Sequence, residues 1–276
     1  AIYLAIVAVV SGIIEVRLIR AGGDINTHIG LIFLLMWTPA AASLIARLAM
    51  DEGVRDVSFR LGGRRAARAL LIAWLLPVCV GAVAYGAAWA TGLVHFAPPA
   101  INEATIGWSR PLRFIAFLGI TMSAGTLFSC LSAAGEEIGW RGYMLTRLIA
   151  ARVPYPLFAS GVIWGAWHLP LIFTGQYASS SRPALSAALF MADVIAIAVV
   201  IGILRLYSGS VWPAVLLHAT WNAVIQGPFD RTFTGAGAEL WVGESGVLVA
   251  LTMIVVAVLV LRWWSAQPSP MPAADS

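Results

Sequence analysis

The residues able to do chemistry fall in three short stretches. "AAGEEIGWRGYML" (133–145) carries two adjacent carboxylates, Glu136 and Glu137, with Arg141 one helical turn later. "VIWGAWHLPLIF" carries His168, four residues after Trp164, and "VLLHATWNAV" carries His218 four residues before Asn222. A carboxylate, two imidazoles and a carboxamide suffice to hydrolyse an amide: a base, a partner that shares its proton, and donors for a tetrahedral oxygen.

Spacing divides the roles. Glu137 and Arg141 share one helix face, acid before base, so a bidentate ion pair between them is expected. Glu136 is rotated by about 100° and is left over from that pair, which suits a general base. The plain alternative is that both acids orient a helix end. His168 shares a face with Trp164, and Pro170 two residues on is expected to kink the helix and open space beside the imidazole. Alone it would read as a packing histidine. His218 and Asn222, four apart, point hydrogen-bonding groups the same way; they read either as an oxyanion site or as polar glue between helices.

The elements that position these groups must lie in lipid. The chain has 276 residues, 60% of them hydrophobic and 11% charged, with mean hydropathy +0.87. A soluble domain is nearer a quarter charged. An all-α polytopic membrane protein of about eight transmembrane helices around a central polar cavity is expected. The spans fall near 1–19, 28–49, 67–90, 112–134, 154–175, 184–206, 209–227 and 245–263, with a short helix over about 136–150 that continues from or follows the fourth span, and no strands. One domain covers 1–264, its motif core is 111–226, and the Pro/Ser/Ala-rich tail 265–276 is expected to be disordered.

All 17 basic residues are arginines, scattered without a basic block, so a nucleic-acid partner is not indicated. With the N-terminus inside, 11 of the 17 fall on the cytoplasmic side, so both termini are expected there. The arginine-only composition hints at a bacterial cytoplasmic membrane. Cys79 and Cys130 lie in apolar runs and read as buried free thiols. The segment between the second and third spans, "DEGVRDVSFRLGGRRAARAL", reads as interfacial.

In their order along the chain the stretches resemble a known family. "EEIGWRGYM" matches an EExxxR motif, "WGAWH" resembles FxxxH with Trp164 in place of Phe, and "HATWN" matches HxxxN. The combination is similar to the type II CAAX prenyl endopeptidases, within the CAAX protease and bacteriocin-processing group. The resemblance implies an intramembrane endopeptidase acting on protein or peptide substrates at the bilayer, lipidated or otherwise membrane-associated. It implies that Glu136 and His168 activate water, that His218 and Asn222 stabilise the oxyanion, and that Glu137 and Arg141 hold the first pair in place. The Trp164 exchange is expected to alter packing around His168 and not the chemistry.

No cofactor is called for with certainty. Glu136, His168 and His218 would also make a two-histidine, one-carboxylate zinc site, the metalloprotease reading of the same residues. The absence of HExxH favours direct Glu/His activation. Two other classes stand beside the peptidase. One is a non-catalytic scaffold or bacteriocin self-immunity protein. The other is a proton-coupled transporter using Glu15, Asp193 and the central carboxylates, which the absence of an evident inverted repeat disfavours. Glu15, near a helix end, is expected to snorkel, and Asp193, mid-span, is left without a role. Trp140, Trp164, Trp167 and Trp221 flank the motifs and are expected to wall the site.

Overall fold

The computed structural model describes residues 1–22 and 25–267. Apolar runs separated by polar loops fold into helices α1 (Ile2–Ala21), α2 (Ile29–Met50), α3 (Gly63–Ala90), α4 (Arg110–Ala150), α5 (Pro156–Phe173), α6 (Pro183–Ser208), α7 (Trp212–Val224) and α8 (Val247–Ser265). Helices α4 to α7 each start with proline in the first two positions, where the missing N–H costs nothing and φ is already helical.

Every expected span coincides with a helix, but the count of eight is not met by length. Seven helices are long and apolar enough to cross a membrane. The eighth, α7, has 13 residues and ends in a π turn at Ile225–Phe229 that contains Pro228. Its regular turns cover about 20 Å at 1.5 Å per residue, and the π turn carries the chain on to Phe229. Most of its side chains are buried against α3, α4 and α6, so it serves as an internal helix. Of the two arrangements expected for the short helix at about 136–150, it continues from the fourth span: α4 runs through two π turns, Thr121–Gly125 and Trp140–Met144, to Ala150.

Helix α6 is the most enclosed of the seven, packed on α5, α7, α8 and α3. Large apolar side chains such as Leu48, Leu127 and Phe128 point outward, as a lipid-facing surface requires. Cys79 and Cys130 are free, but Cys79 lies on that outer surface and not in the core. Contrary to expectation a strand pair forms, His95–Phe96 against Phe233–Thr234, in loops beyond the helix ends where backbone can pair outside lipid. Of the expected tail, residues 268–276 lie outside the described residues.

Two contacts set where α4 stands. Gly135 and Gly139 press it against α2: a Cβ on Gly135 would meet the Met36 carbonyl at 2.7 Å, and one on Gly139 would meet Pro39 at 2.4 Å. The Trp37 indole N–H also donates to the Leu131 carbonyl at 2.9 Å. At the helix end, Arg47 of α2 pairs with Asp56 at 2.6 Å and donates to the Gly142 carbonyl at 3.2 Å, while Arg147 reaches Asp56 at 3.1 Å and Glu52 at 2.6 Å. Burial alone would raise the Asp56 carboxyl. The Arg47 hydrogen bond and charge, then the Arg147 charge and the Thr146 hydroxyl, outweigh it and hold Asp56 below the usual carboxylate range.

Gly139→Ala is expected to destabilise by about 1–3 kcal/mol in detergent-driven unfolding, because Pro39 backbone must move. Gly119→Ala, with open space around it, is the control expected to stay near wild type. A depressed carboxyl stabilises above its unfolded value, about 3.9, and that contribution is lost as pH falls through the folded value. Asp56→Asn is therefore expected to lose stability at neutral pH and to flatten the fall seen in wild type below about pH 4.

Candidate active site

The close approach of α2 and α4 fixes the backbone under Glu136 and Glu137, and both side chains turn inward and are buried. Helix α5 brings Trp164 and His168, and α7 brings His218 and Asn222. The four residues expected to carry the chemistry meet on one cavity of about 130 Å³, lined by Glu136, His168, His218 and Asn222 together with Glu15 and Tyr177.

Trp164 is the hub. Its indole N–H donates to Glu136 Oε2 at 2.7 Å, and its ring lies 5.7 Å from the His168 ring and 5.3 Å from the His218 ring. Trp140 adds a second donor to Glu136 Oε2 at 3.3 Å. Among the described residues no donor reaches Oε1. A phenylalanine at 164 could not make the indole contact, so the Trp-for-Phe exchange touches the candidate base itself as well as packing.

The Glu137–Arg141 pair forms as expected, at 2.9 Å with both side chains fully buried, but it is not bidentate. Glu137 Oε1 alone carries the contact, while Glu137 Oε2 and Arg141 Nε and Nη2 have no partner among the described residues. Two further interactions explain this geometry. His218 Nδ1 donates to the same Oε1 at 2.8 Å, and the Arg141 guanidinium lies over the Trp164 ring at 4.2 Å. Glu137 thus orients His218 directly, a link that spacing within one helix does not reveal.

Both imidazoles are fixed at Nδ1. His168 Nδ1 lies 2.8 Å from the Trp164 carbonyl, which can only accept, so Nδ1 carries the proton. The remaining ring nitrogen, Nε2, is left for the cavity in each histidine. Pro170 lies inside α5 without ending it. Asn222 Oδ1 accepts from Gln226 at 3.3 Å, which leaves its amide N–H groups for the cavity.

Several residues around the site escaped the sequence reading. Gln226 also reaches Glu244 at 3.1 Å and Tyr177 at 3.2 Å, and Glu244 accepts from the Trp221 indole at 2.8 Å. The 218–222–226 spacing on one helix face could have found Gln226; Glu244 lies in a loop and leaves no periodic signal. Of the four tryptophans, Trp140, Trp164 and Trp167 gather at the first two motifs, and Trp167 donates to Ser11 of α1 at 2.8 Å. Glu15 does not snorkel: it is 5% exposed and faces the cavity. Asp193 lines a small space of about 30 Å³ behind the histidines, shared with Asn222 and Glu244, and its Oδ1 is unpartnered among the described residues.

Among the described residues no group of three His, Cys, Asp or Glu is spaced to hold a metal ion, and Glu136 Oε2 is turned into two indole donors.

Glu137→Ala leaves Arg141 charged, buried and unpaired. It is expected to cost about 3–5 kcal/mol in detergent-driven unfolding. Replacing both partners by apolar residues, Glu137→Met with Arg141→Leu, is expected to recover most of that loss while leaving His218 unheld.

No match is found among curated proteins. A family model does match, over residues 118–224, and this stretch holds all three motifs and every side chain just assigned to the cavity except Glu15, Gln226 and Glu244. The family is one of CAAX intramembrane proteases, and the apolar helices make the chain an integral membrane protein. The segment that builds the site is similar to the Type II CAAX prenyl endopeptidase Rce1-like family, whose model covers less than half of the chain.

Proposed function

We propose that the protein is an endopeptidase that cleaves membrane-associated or lipidated polypeptides inside the bilayer with water activated by Glu136 and His168. The observation that carries this reading is the convergence of Glu136, His168, His218 and Asn222 on one buried cavity around Trp164. Ionisable groups in a membrane interior are costly and are kept where they act.

In this reading a water lies between Glu136 and His168. It hydrogen-bonds to the His168 Nε2 lone pair, since Nδ1 already donates to the Trp164 carbonyl. Glu136 takes its proton as the oxygen attacks the scissile carbonyl carbon, and the carbonyl electrons move onto the oxygen. Asn222 donates to that oxyanion from its side-chain amide. His218 donates from Nε2 only as the imidazolium, because Nδ1–H is held by Glu137, and the developing oxyanion balances that charge. When the C–N bond breaks, the proton held by Glu136 passes to the leaving amine. This is the same division of labour that the resemblance implied, with Glu137 acting on His218.

The arginine distribution supports both termini on the cytoplasmic side. Loop 51–62 is tied to loop 209–211 there by the Ser58 hydroxyl bond to the Gly209 carbonyl at 2.6 Å, and to the end of α6 by Arg205, which donates to the Asp56 carbonyl at 2.7 Å. A bacterial cytoplasmic membrane is the setting we infer.

In proteoliposomes, Glu136→Gln is expected to lower peptide cleavage by at least about 10²-fold without loss of folded protein. Incubation with a divalent-metal chelator is expected to leave the wild-type rate unchanged. Normal cleavage by the Gln variant would remove Glu136 as the base, and a rate abolished by chelation and restored by zinc would replace direct activation by a metal route.

A further inference from the structure

The protein carries a formal charge of +4 and 17 arginines, yet two of its inner spaces are walled by acids. Glu15 and Glu136 line the site cavity. A wider space of about 350 Å³, which shares Tyr177 and Gln226 with that cavity, is lined by Asp230, Glu239 and Glu244. No arginine lines either. Arg141 is fully buried behind the cavity and already committed to Glu137.

Glu15 stands apart from the other acids. It is 5% exposed, and its Oε1 has no hydrogen-bond partner among the described residues. Arg17 and Arg20, the nearest cations along the helix, are exposed on its outer side. Ser11, one turn earlier on the same face of α1, accepts from the Trp167 indole, which ties this face to α5 and fixes where Glu15 points. Glu15 and Trp167 line the site cavity and also a separate space of about 370 Å³ between α1 and α5, so the carboxylate stands where the two meet. A buried carboxylate with an unfilled acceptor is costly unless a donor arrives to meet it. Nothing in the hydrolytic assignment of Glu136, His168, His218 and Asn222 uses it.

We propose that Glu15 is a substrate-binding residue that receives a basic side chain, lysine or arginine, of the polypeptide held in the site. A cationic side chain near the scissile bond supplies the missing donors as charge-assisted hydrogen bonds, in a setting where opposite charges attract strongly. The acids of the adjoining space favour the approach of the same charge. This assignment rests on the endopeptidase reading and adds to it the class of side chain the enzyme selects.

Wild-type protein and Glu15→Gln, both in proteoliposomes, are given a degenerate peptide library, with cut sites read by mass spectrometry. Wild type is expected to enrich Lys or Arg at one position near the cut, and the variant to lose that enrichment. For a matched peptide pair, Lys against norleucine at that position, Glu15→Gln is expected to lower kcat/KM for the Lys peptide by about tenfold or more, mainly through KM. The norleucine peptide is expected to stay within about twofold, and Glu15→Asp to recover part of the Lys preference. No enrichment in wild type, or an equal fall for both peptides, overturns the assignment. Binding of a fluorescent Lys peptide is measured in parallel with Glu136→Gln alone and with Glu136→Gln combined with Glu15→Gln. Weakening by about tenfold in the double variant supports the assignment even if wild type cuts nothing, an outcome that would sink only the endopeptidase reading. Binding that ignores residue 15 overturns the Glu15 assignment whatever the cleavage data show.

Discussion

The site depends on one buried carboxylate oxygen. Glu137 Oε1 accepts from Arg141 within its own helix and from His218 on α7, and it has no exposure to solvent. The arginine keeps the charge tolerable, and the charge in turn holds the imidazole. Remove the acid and both a cation and a ring lose their partner in a medium that supplies no water to replace it. Pairing inside one helix and orientation across two helices are therefore one interaction. Its single-point geometry, and not a symmetrical fork, is what leaves room for the histidine.

That arrangement needs α4 to stand at a defined depth and rotation. Lipid gives helices no hydrophobic drive to associate, so close backbone packing does the work. Gly135 and Gly139 allow α4 to touch α2 along Met36, Trp37 and Pro39, and the next residues in sequence are Glu136 and the π turn that carries Arg141. The π turns belong to the same device. A wider turn reorients the helix face after Gly139 while the chain remains helical, so that Trp140 reaches Glu136 and Arg141 still meets Glu137. On the other side α7 is enclosed by protein, which suits a helix whose polar face must look inward.

The electrostatic contrast between outside and inside follows the same logic. Arginines gather at helix ends and loops, where headgroups and water solvate them, and Arg47, Arg147 and Arg205 clasp the 51–57 loop around Asp56. Acids line the site cavity and the space beside it, and no arginine lines either. Glu244 is kept tolerable by hydrogen bonds from Trp221, Tyr177 and Gln226, and Asp230 by the Tyr85 hydroxyl. Glu15 and Asp193 each keep an oxygen unpartnered.

The sequence by itself determined the helices, because hydropathy and helix starts are local properties. It also determined the catalytic candidates, because i,i+4 spacing puts Glu137 with Arg141 and His218 with Asn222 whatever the neighbours do. Only the tertiary structure decided what crosses between helices. It turned His218 onto Glu137, put the Trp164 indole on Glu136 and brought the loop residue Glu244 under Trp221 and Gln226. It also set Glu15 on the cavity wall, although its place near the end of α1 suggested a side chain reaching for the interface. Periodicity says which residues share a face, but the direction that face looks depends on packing partners far away in the chain. The same limit hid the enclosure of α7: nothing in its composition shows that other helices, not lipid, surround it.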